Sequence, residues 1–183
     1  DGEWLTLTVG DELRLDGIEY NETINDIQVR FTLQGERGLL PVNTSSPFWL
    51  EKLLVAYGVN SRQTQQYLDT LADYADGDDQ IRPSGAERNT YEDEGLPPPR
   101  NFLLQSCAEL NLVKGWPELL STAESMIDHC SLQRGTAINL NTMPASLVNQ
   151  LWPEQGHKLI AAREQGQRLY TAPGAVALFP DLA

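Results

Sequence analysis

Carboxylates crowd one short stretch of this chain. Residues 69–94 hold Asp69, Asp73, Asp76, Asp78, Asp79, Glu87, Glu92, Asp93 and Glu94, against only Arg82 and Arg88. Like charges this close repel one another unless water, salt or a cation screens them. The chemistry open to such a set is capture of a hard cation: calcium takes roughly six to eight oxygens at about 2.3–2.6 Å. Asp73 and Asp76 are spaced to share one face at the C-terminal end of a helix. Free carbonyls and the negative end of the helix dipole make acids unfavourable there without a counter-ion. Asp78 and Asp79 follow Gly77 into a loop, and Glu87 can fold back over the turn at 83–85. The spacing is not that of an EF-hand. On charge alone the run is either a solvated acidic loop, the commoner fate of such runs, or a cage for a cation.

No other constellation offers chemistry. The two histidines are His129 and His157; His157 follows Gly156 at a helix start and reads as a surface residue, and His129 lies beside Cys130 by coincidence. Nucleophile-elbow, phosphate-loop, dinucleotide and zinc-protease motifs are missing, so an enzyme has little support. Cys107 and Cys130 are too few for a zinc site, and the histidines do not flank them at the usual spacing. In a reducing compartment both are buried thiols; in an oxidising one they can pair, closing a loop worth about 3 kcal/mol. A net charge of −13 repels nucleic-acid phosphates. With 183 residues, 40% hydrophobic and 21% charged, the chain suits one medium domain or two small ones with a core of their own. No run of 18 apolar residues occurs. The chain opens on Asp1-Gly2 rather than Met, and we expect a fragment whose upstream targeting or membrane segment is not included.

The elements that must position the acids follow from periodicity. Residues 3–33 alternate as strands, with hairpin turns expected at Gly10-Asp11 and Asp16-Gly17 and one apolar face formed by Ile27, Val29, Phe31 and Leu33. From Gly38 the pattern turns helical. Ser46 is expected to cap a helix with Pro47 at its first position, carrying Trp49, Leu50, Leu53, Leu54 and Tyr57 and ending at Gly58. A second helix over 60–76 turns Tyr67, Leu68, Leu71 and Ala75 inward and delivers the chain to the acids. After the extended "PPPRN", Ser106 and Glu109 form a capping box, Pro117 opens a further helix over 117–130, and two short helices surround a tight turn near 153–156. "GLLPVNTSSPFWLEKLL" at 38–54 echoes "TAINLNTMPASLVNQLW" at 136–152. The echo marks either two helices capped alike by Asn-Thr or two related helical units.

The acidic stretch also carries a resemblance. "DYADGDDQIRPSGAERNTY" resembles the D-W-x-D-x-D-x-x-P-x-x-x-G-A-E-x-x-Y signature of the K-type minor pseudopilins of type II secretion systems (general secretion pathway protein K), through Asp73, Asp76, Asp78, Gly85, Ala86, Glu87 and Tyr91. Tyr74 stands where that family has Trp, and Arg82-Pro83 is slightly shifted. "GERGLLPVN", "LPPPRN", "SCAELNLVKG" and "AINLNT" follow in the family's order, so the likeness spans 35–142. It implies an α+β fold: a small pseudopilin-type sheet over 1–34, then a large, mostly helical domain over 35–183. That domain would contain helix-hairpin-helix or SAM-like units near 38–75 and 136–170 and a cation-binding loop over 73–95. It implies a structural subunit at the tip of a periplasmic pseudopilus that supports export of folded proteins. Its partners would be I-type and J-type minor pseudopilins, and an N-terminal helix outside this sequence would anchor it in the inner membrane. It further implies a structural calcium held by Asp73, Asp76, Asp78 and Glu87, and, from a periplasmic address, a Cys107–Cys130 disulfide. The chain stops at "ALFPDLA" before the family's last strands, so the sheet is expected to be small or incomplete.

A different class competes for the C-terminal part. Residues 136–170 also resemble helix-hairpin-helix DNA-binding modules of DNA-uptake proteins, whose hairpin amides hold a phosphate. Here the hairpin contains Pro153, which lacks an amide, and Glu154, which would face the phosphate. Lys158, Arg163 and Arg168 are balanced by Glu154, Glu164 and Asp181, where DNA binding wants a basic surface. We therefore expect no nucleic-acid partner and assign this segment to protein packing.

Overall fold

The alternation of apolar residues in the N-terminal part folds into a long antiparallel hairpin. In the computed structural model, which describes residues 5–6, 12–44, 46–123 and 125–167, strands β1 (Leu5–Thr6) and β2 (Glu12–Leu13) pair briefly. Strands β3 (Asp16–Ile24) and β4 (Ile27–Gln34) then pair along most of their length. Val29, Phe31 and Leu33 are half-buried while Arg30, Thr32 and Gln34 are exposed, which is the expected two-faced strand. Phe31 stacks on Tyr20 across the pair, with ring centroids 5.4 Å apart. The turn is at Asn25-Asp26, whose φ angles of 49° and 66° are both left-handed, as a two-residue hairpin matching the strand twist requires. The expected turn at Asp16-Gly17 is instead a bulge inside β3, where the register slips between Asp16 and Glu19. The turn expected at Gly10-Asp11 lies outside the described residues.

Contacts gather the chain into two compact units, and these divide it differently from 1–34 and 35–183. The first takes Asp1–Leu39 together with Ala137–Ala183, and the second Leu40–Thr136. In the first, helices α6 (Ala145–Leu151) and α7 (Gly156–Glu164) belong with the hairpin. The Gln34 side-chain amide donates to the Thr142 carbonyl at 2.8 Å, and the Asn139 amide to the Arg37 carbonyl at 2.8 Å. Arg163 on α7 reaches to 3.8 Å from Asp16 on β3.

The second unit is mostly helical. Its two-stranded sheet pairs β5 (Leu40–Pro41) with β6 (Cys130–Ser131) in parallel. Helix α1 (Phe48–Ala56) buries Leu50, Leu53 and Leu54, and Gly58 at φ +80° lets the chain leave its end. Helix α2 (Ser61–Ala75) starts at Asn60, whose side chain accepts the Gln63 amide at 3.0 Å. A short helix α3 (Arg88–Asp93), a 3-10 turn over Cys107–Leu112, α4 (Trp116–Thr122) and α5 (Ser125–Asp128) follow. The core holds Leu53, Leu54, Tyr74, Tyr91, Leu110, Val113 and Trp116, each essentially inaccessible. Full burial of such side chains contributes about 1.5–3 kcal/mol apiece. The Trp116 indole donates to the Tyr67 carbonyl at 3.1 Å, so its polar edge is satisfied as well. A disulfide joins Cys107 to Cys130.

The helix ends differ from the expectation in several places. Pro47, not Ser46, is the N-cap of α1, and Pro144 holds the same position before α6; neither helix has a side-chain cap. The Asn-Thr pairs therefore do not cap. Asn43 is buried and clamps two loops: its amide donates to the carbonyls of Leu104 (2.9 Å) and Leu132 (3.2 Å), and its oxygen accepts the Leu104 amide (2.9 Å). The long helix expected over 117–130 breaks at Ala123 into α4 and α5. At Ser106 the box opens by one residue: the hydroxyl accepts the Ala108 amide, and Glu109 reaches Gln105 rather than Ser106.

Candidate functional site

Helix α2 sets the acids. Its inward face carries Tyr74 and Leu71, and also Asp69 and Asp73, one turn apart and both buried. Two carboxylates turned inward need partners, and the loop after α2 supplies them. The Ser84 amide donates to Asp69 Oδ2 at 3.0 Å and the Arg82 amide to Asp73 Oδ2 at 3.1 Å. One guanidinium nitrogen, Arg82 Nη1, lies 2.5 Å from Asp73 Oδ1 and 2.5 Å from Asp76 Oδ2. These hydrogen bonds push the Arg82 pKa above its ordinary value, so the group is firmly cationic. The approach requires Gly85: a Cβ there would fall on the Asp73 carboxylate.

Glu87 is the anomaly. It is the N-cap residue of α3, only 5% exposed, and neither carboxylate oxygen has a hydrogen-bond partner. Burial pushes its pKa up to about 7, helped by the charges of Asp73, Asp76, Asp79 and Asp78. Tyr91, one turn further on, is buried too; its hydroxyl accepts the Lys114 amide at 2.9 Å, and burial is the main cause that pushes its pKa up to about 12. A carboxylate stripped of water and given no donor costs several kcal/mol when charged.

Of the four expected ligands, Asp73 and Asp76 meet on one guanidinium, and Glu87 sits within reach of their field. Asp78 is exposed and accepts the Gln80 amide at 2.8 Å in a local turn, with its backbone carbonyl tied to Asn101. Among the described residues, no three His, Cys, Asp or Glu side chains converge as a ready-made metal-ligand group. The donor chemistry nevertheless fits a hard cation, because two buried carboxylate oxygens of Glu87 lack any donor beside Asp73 and Asp76. Two members of the cluster escape the sequence: Asp69, whose spacing from Asp73 was the signal, and Arg82, one of only two bases in the run.

The α6–α7 hairpin is built differently from a phosphate clamp. The Gln155 and Gly156 amides both donate to the Trp152 carbonyl, at 3.2 and 2.7 Å, and Glu154 is exposed at its tip. Those amides are spent inside the turn, and Arg163 is buried.

The sequence matches the family described as Type II secretion system (T2SS), protein K, over residues 26–124, just over half of the chain. No curated protein matches the sequence. The fold is similar to a chain in the crystal structure of the GspK-GspI-GspJ complex from the type 2 secretion system of enterotoxigenic Escherichia coli, with a TM-score of 0.64 at 17% identity. The superposition covers 90% of this chain and 63% of that one, so the chain spans less than two thirds of that protein's length.

Proposed function

This chain belongs to the family of type II secretion system protein K, and from that premise we propose that it serves as a structural minor pseudopilin, not an enzyme, at the tip of a secretion pseudopilus. The observation that carries the proposal is the family match over 26–124, supported by a fold shared over 90% of the chain. That the solved relative belongs to a GspK-GspI-GspJ complex supports I-type and J-type minor pseudopilins as partners. The address that goes with this role is the periplasm. Anchoring in the inner membrane would need a segment other than those described, because no described helix is long and apolar enough to cross a membrane. The test is co-elution: this chain mixed with purified I-type and J-type periplasmic domains should give one shared peak on size exclusion. Three separate peaks at micromolar concentration would overturn the assignment.

The same reading includes a structural calcium at Asp73, Asp76, Asp78 and Glu87 and a Cys107–Cys130 bond formed in the oxidising periplasm. What supports the calcium is the pair of unpartnered, buried Glu87 oxygens among these acids. Bound calcium would supply positive charge, while the carboxylates hold the 77–87 loop against α2. A ligand of the native state raises its stability by mass action. The melting temperature should rise with calcium chloride and fall with chelator, and an unchanged curve would remove calcium from the proposal.

A further inference from the structure

We propose that Arg82 is a tethered counter-cation competing with the divalent ion for Asp73 and Asp76, so that ion uptake and release of this guanidinium are one event. The inference rests on the calcium reading above and adds to it the part played by a residue that is not among the proposed ligands.

Asp73 is wholly inaccessible, so its charge cannot be left to solvent. Arg82 supplies the counter-charge, but through a single nitrogen shared between two carboxylates at 2.5 Å each. It does not use the two-nitrogen fork by which arginine grips one carboxylate. Its side chain is 39% exposed while that of Asp73 is 0%, so the cation enters from the solvent side and can leave the same way. A groove of about 780 Å³ lined by Glu51, Asp76 and Arg82 opens beside the pair and has room for the displaced side chain. The backbone does not need the guanidinium to stay in place. The Arg82 amide still holds Asp73 at 3.1 Å, and the Ser84 amide still holds Asp69 at 3.0 Å. One positive charge also serves the site incompletely: it reaches Asp73 and Asp76 and leaves both Glu87 oxygens without a donor. A divalent ion carries twice the charge of the guanidinium and takes more oxygen ligands than the two that Arg82 Nη1 meets.

A competitor weakens apparent ion affinity by the fraction of time it leaves the site open, about tenfold where it holds the site nine-tenths of the time. Calcium chloride titrations followed by calorimetry should therefore show Arg82→Gln binding about tenfold more tightly than the parent chain. On the parent chain, phenylglyoxal labelling of Arg82, read by mass spectrometry, should rise once calcium saturates the site. Equal or weaker calcium binding by Arg82→Gln overturns the competition and leaves the calcium reading standing. No heat with either protein overturns both. If the substitution prevents folding, labelling of the parent chain decides alone, and an Arg82 equally protected with and without calcium sinks the proposal.

Discussion

Each of the two units sets a buried aspartate against an arginine, and the two arginines are held in opposite ways. In the hairpin unit, Arg163 is 5% exposed, and its Nη1 donates to the carbonyls of Leu140 (3.2 Å), Asn141 (3.4 Å) and Met143 (2.5 Å). Asp16 is 3.8 Å away and is also paired with Arg14. Burial lowers the Arg163 pKa, and Asp16 opposes that fall. In the helical unit, Arg82 is partly exposed and bonds its guanidinium to Asp73 and Asp76. A buried guanidinium that gives one nitrogen to three main-chain carbonyls is part of the fold, although Arg163 Nε and Nη2 have no hydrogen-bond partner among the described residues. One that reaches buried and half-buried carboxylates from the solvent side is open to exchange for another cation. On the proposal made above, the helical unit would keep an ion-responsive charge, and the hairpin unit a fixed one.

The comparison breaks most visibly at Arg163. Arg163→Met strips the donor from three carbonyls and weakens the neutralisation of Asp16, so stability should fall by about 3–5 kcal/mol, the range for breaking a buried pair. Urea denaturation measures it. The loss should be the same in calcium and in chelator, and a calcium-dependent loss would erase the distinction drawn between the two arginines. Next in size is the disulfide, which belongs to the unit with the exchangeable charge and spans a sequence separation of 23. Replacing both Cys107 and Cys130 with serine should cost about 3 kcal/mol in the chain-entropy account. The same denaturation curve checks it, and a loss below about 1 kcal/mol would mean the bond constrains little.

Gly85→Ala tests the acidic loop itself. The new Cβ has to push the loop off Asp73, which should cost about 1–3 kcal/mol as other overpacked sites do. It should also abolish the thermal response to calcium. A variant as stable as the parent, with its calcium response intact, would show that the loop does not need this close approach.

How far these features were legible depends on where the deciding atoms lie in the sequence. Alternation through Val29, Phe31 and Leu33 is local, and so was readable as the β4 face, whereas Ile27, expected on that face, is exposed beside the turn. Apolar spacing over 49–57 and a glycine at 58 likewise made α1 and its end readable. The turn at Asn25-Asp26 was not, because two left-handed residues without a glycine give a weaker signal than Gly17, which turned out to sit in a bulge. Asn43 looked like a cap because it precedes a helix, yet its partners, Leu104 and Leu132, lie 61 and 89 residues away. For the acids, the order of the motif pointed to Asp73, Asp76, Asp78 and Glu87 as neighbours, but Asp78 stays exposed in a local turn and only the fold turns Asp73 inward. The amides that receive Asp69 and Asp73 come from a loop whose path no local pattern encodes. Arg82 was visible as a base in an acid run, and nothing local told that it bridges two of the acids.

The smallest expected effect is also the most specific to Glu87. Burial raises its folded-state pKa to about 7, above the ordinary 4.5 of a glutamate. A carboxyl with a raised pKa favours the folded state while it is protonated, and this stability is fully present below the unfolded pKa. It is lost as pH rises through the folded pKa, so the window runs from about 4.5 to 7. Between pH 6 and pH 8 the chelated protein should lose about 1 kcal/mol on this account. Glu87→Gln cannot ionise and should flatten that slope while removing the calcium response. In the parent chain, saturating calcium should flatten it too, because a bound cation offsets the charge that burial penalises. Arg163 holds a permanent charge over this range and adds no slope. A pH dependence that survives Glu87→Gln would move the titration to another group and leave the orphaned carboxylate without an ion to answer for it.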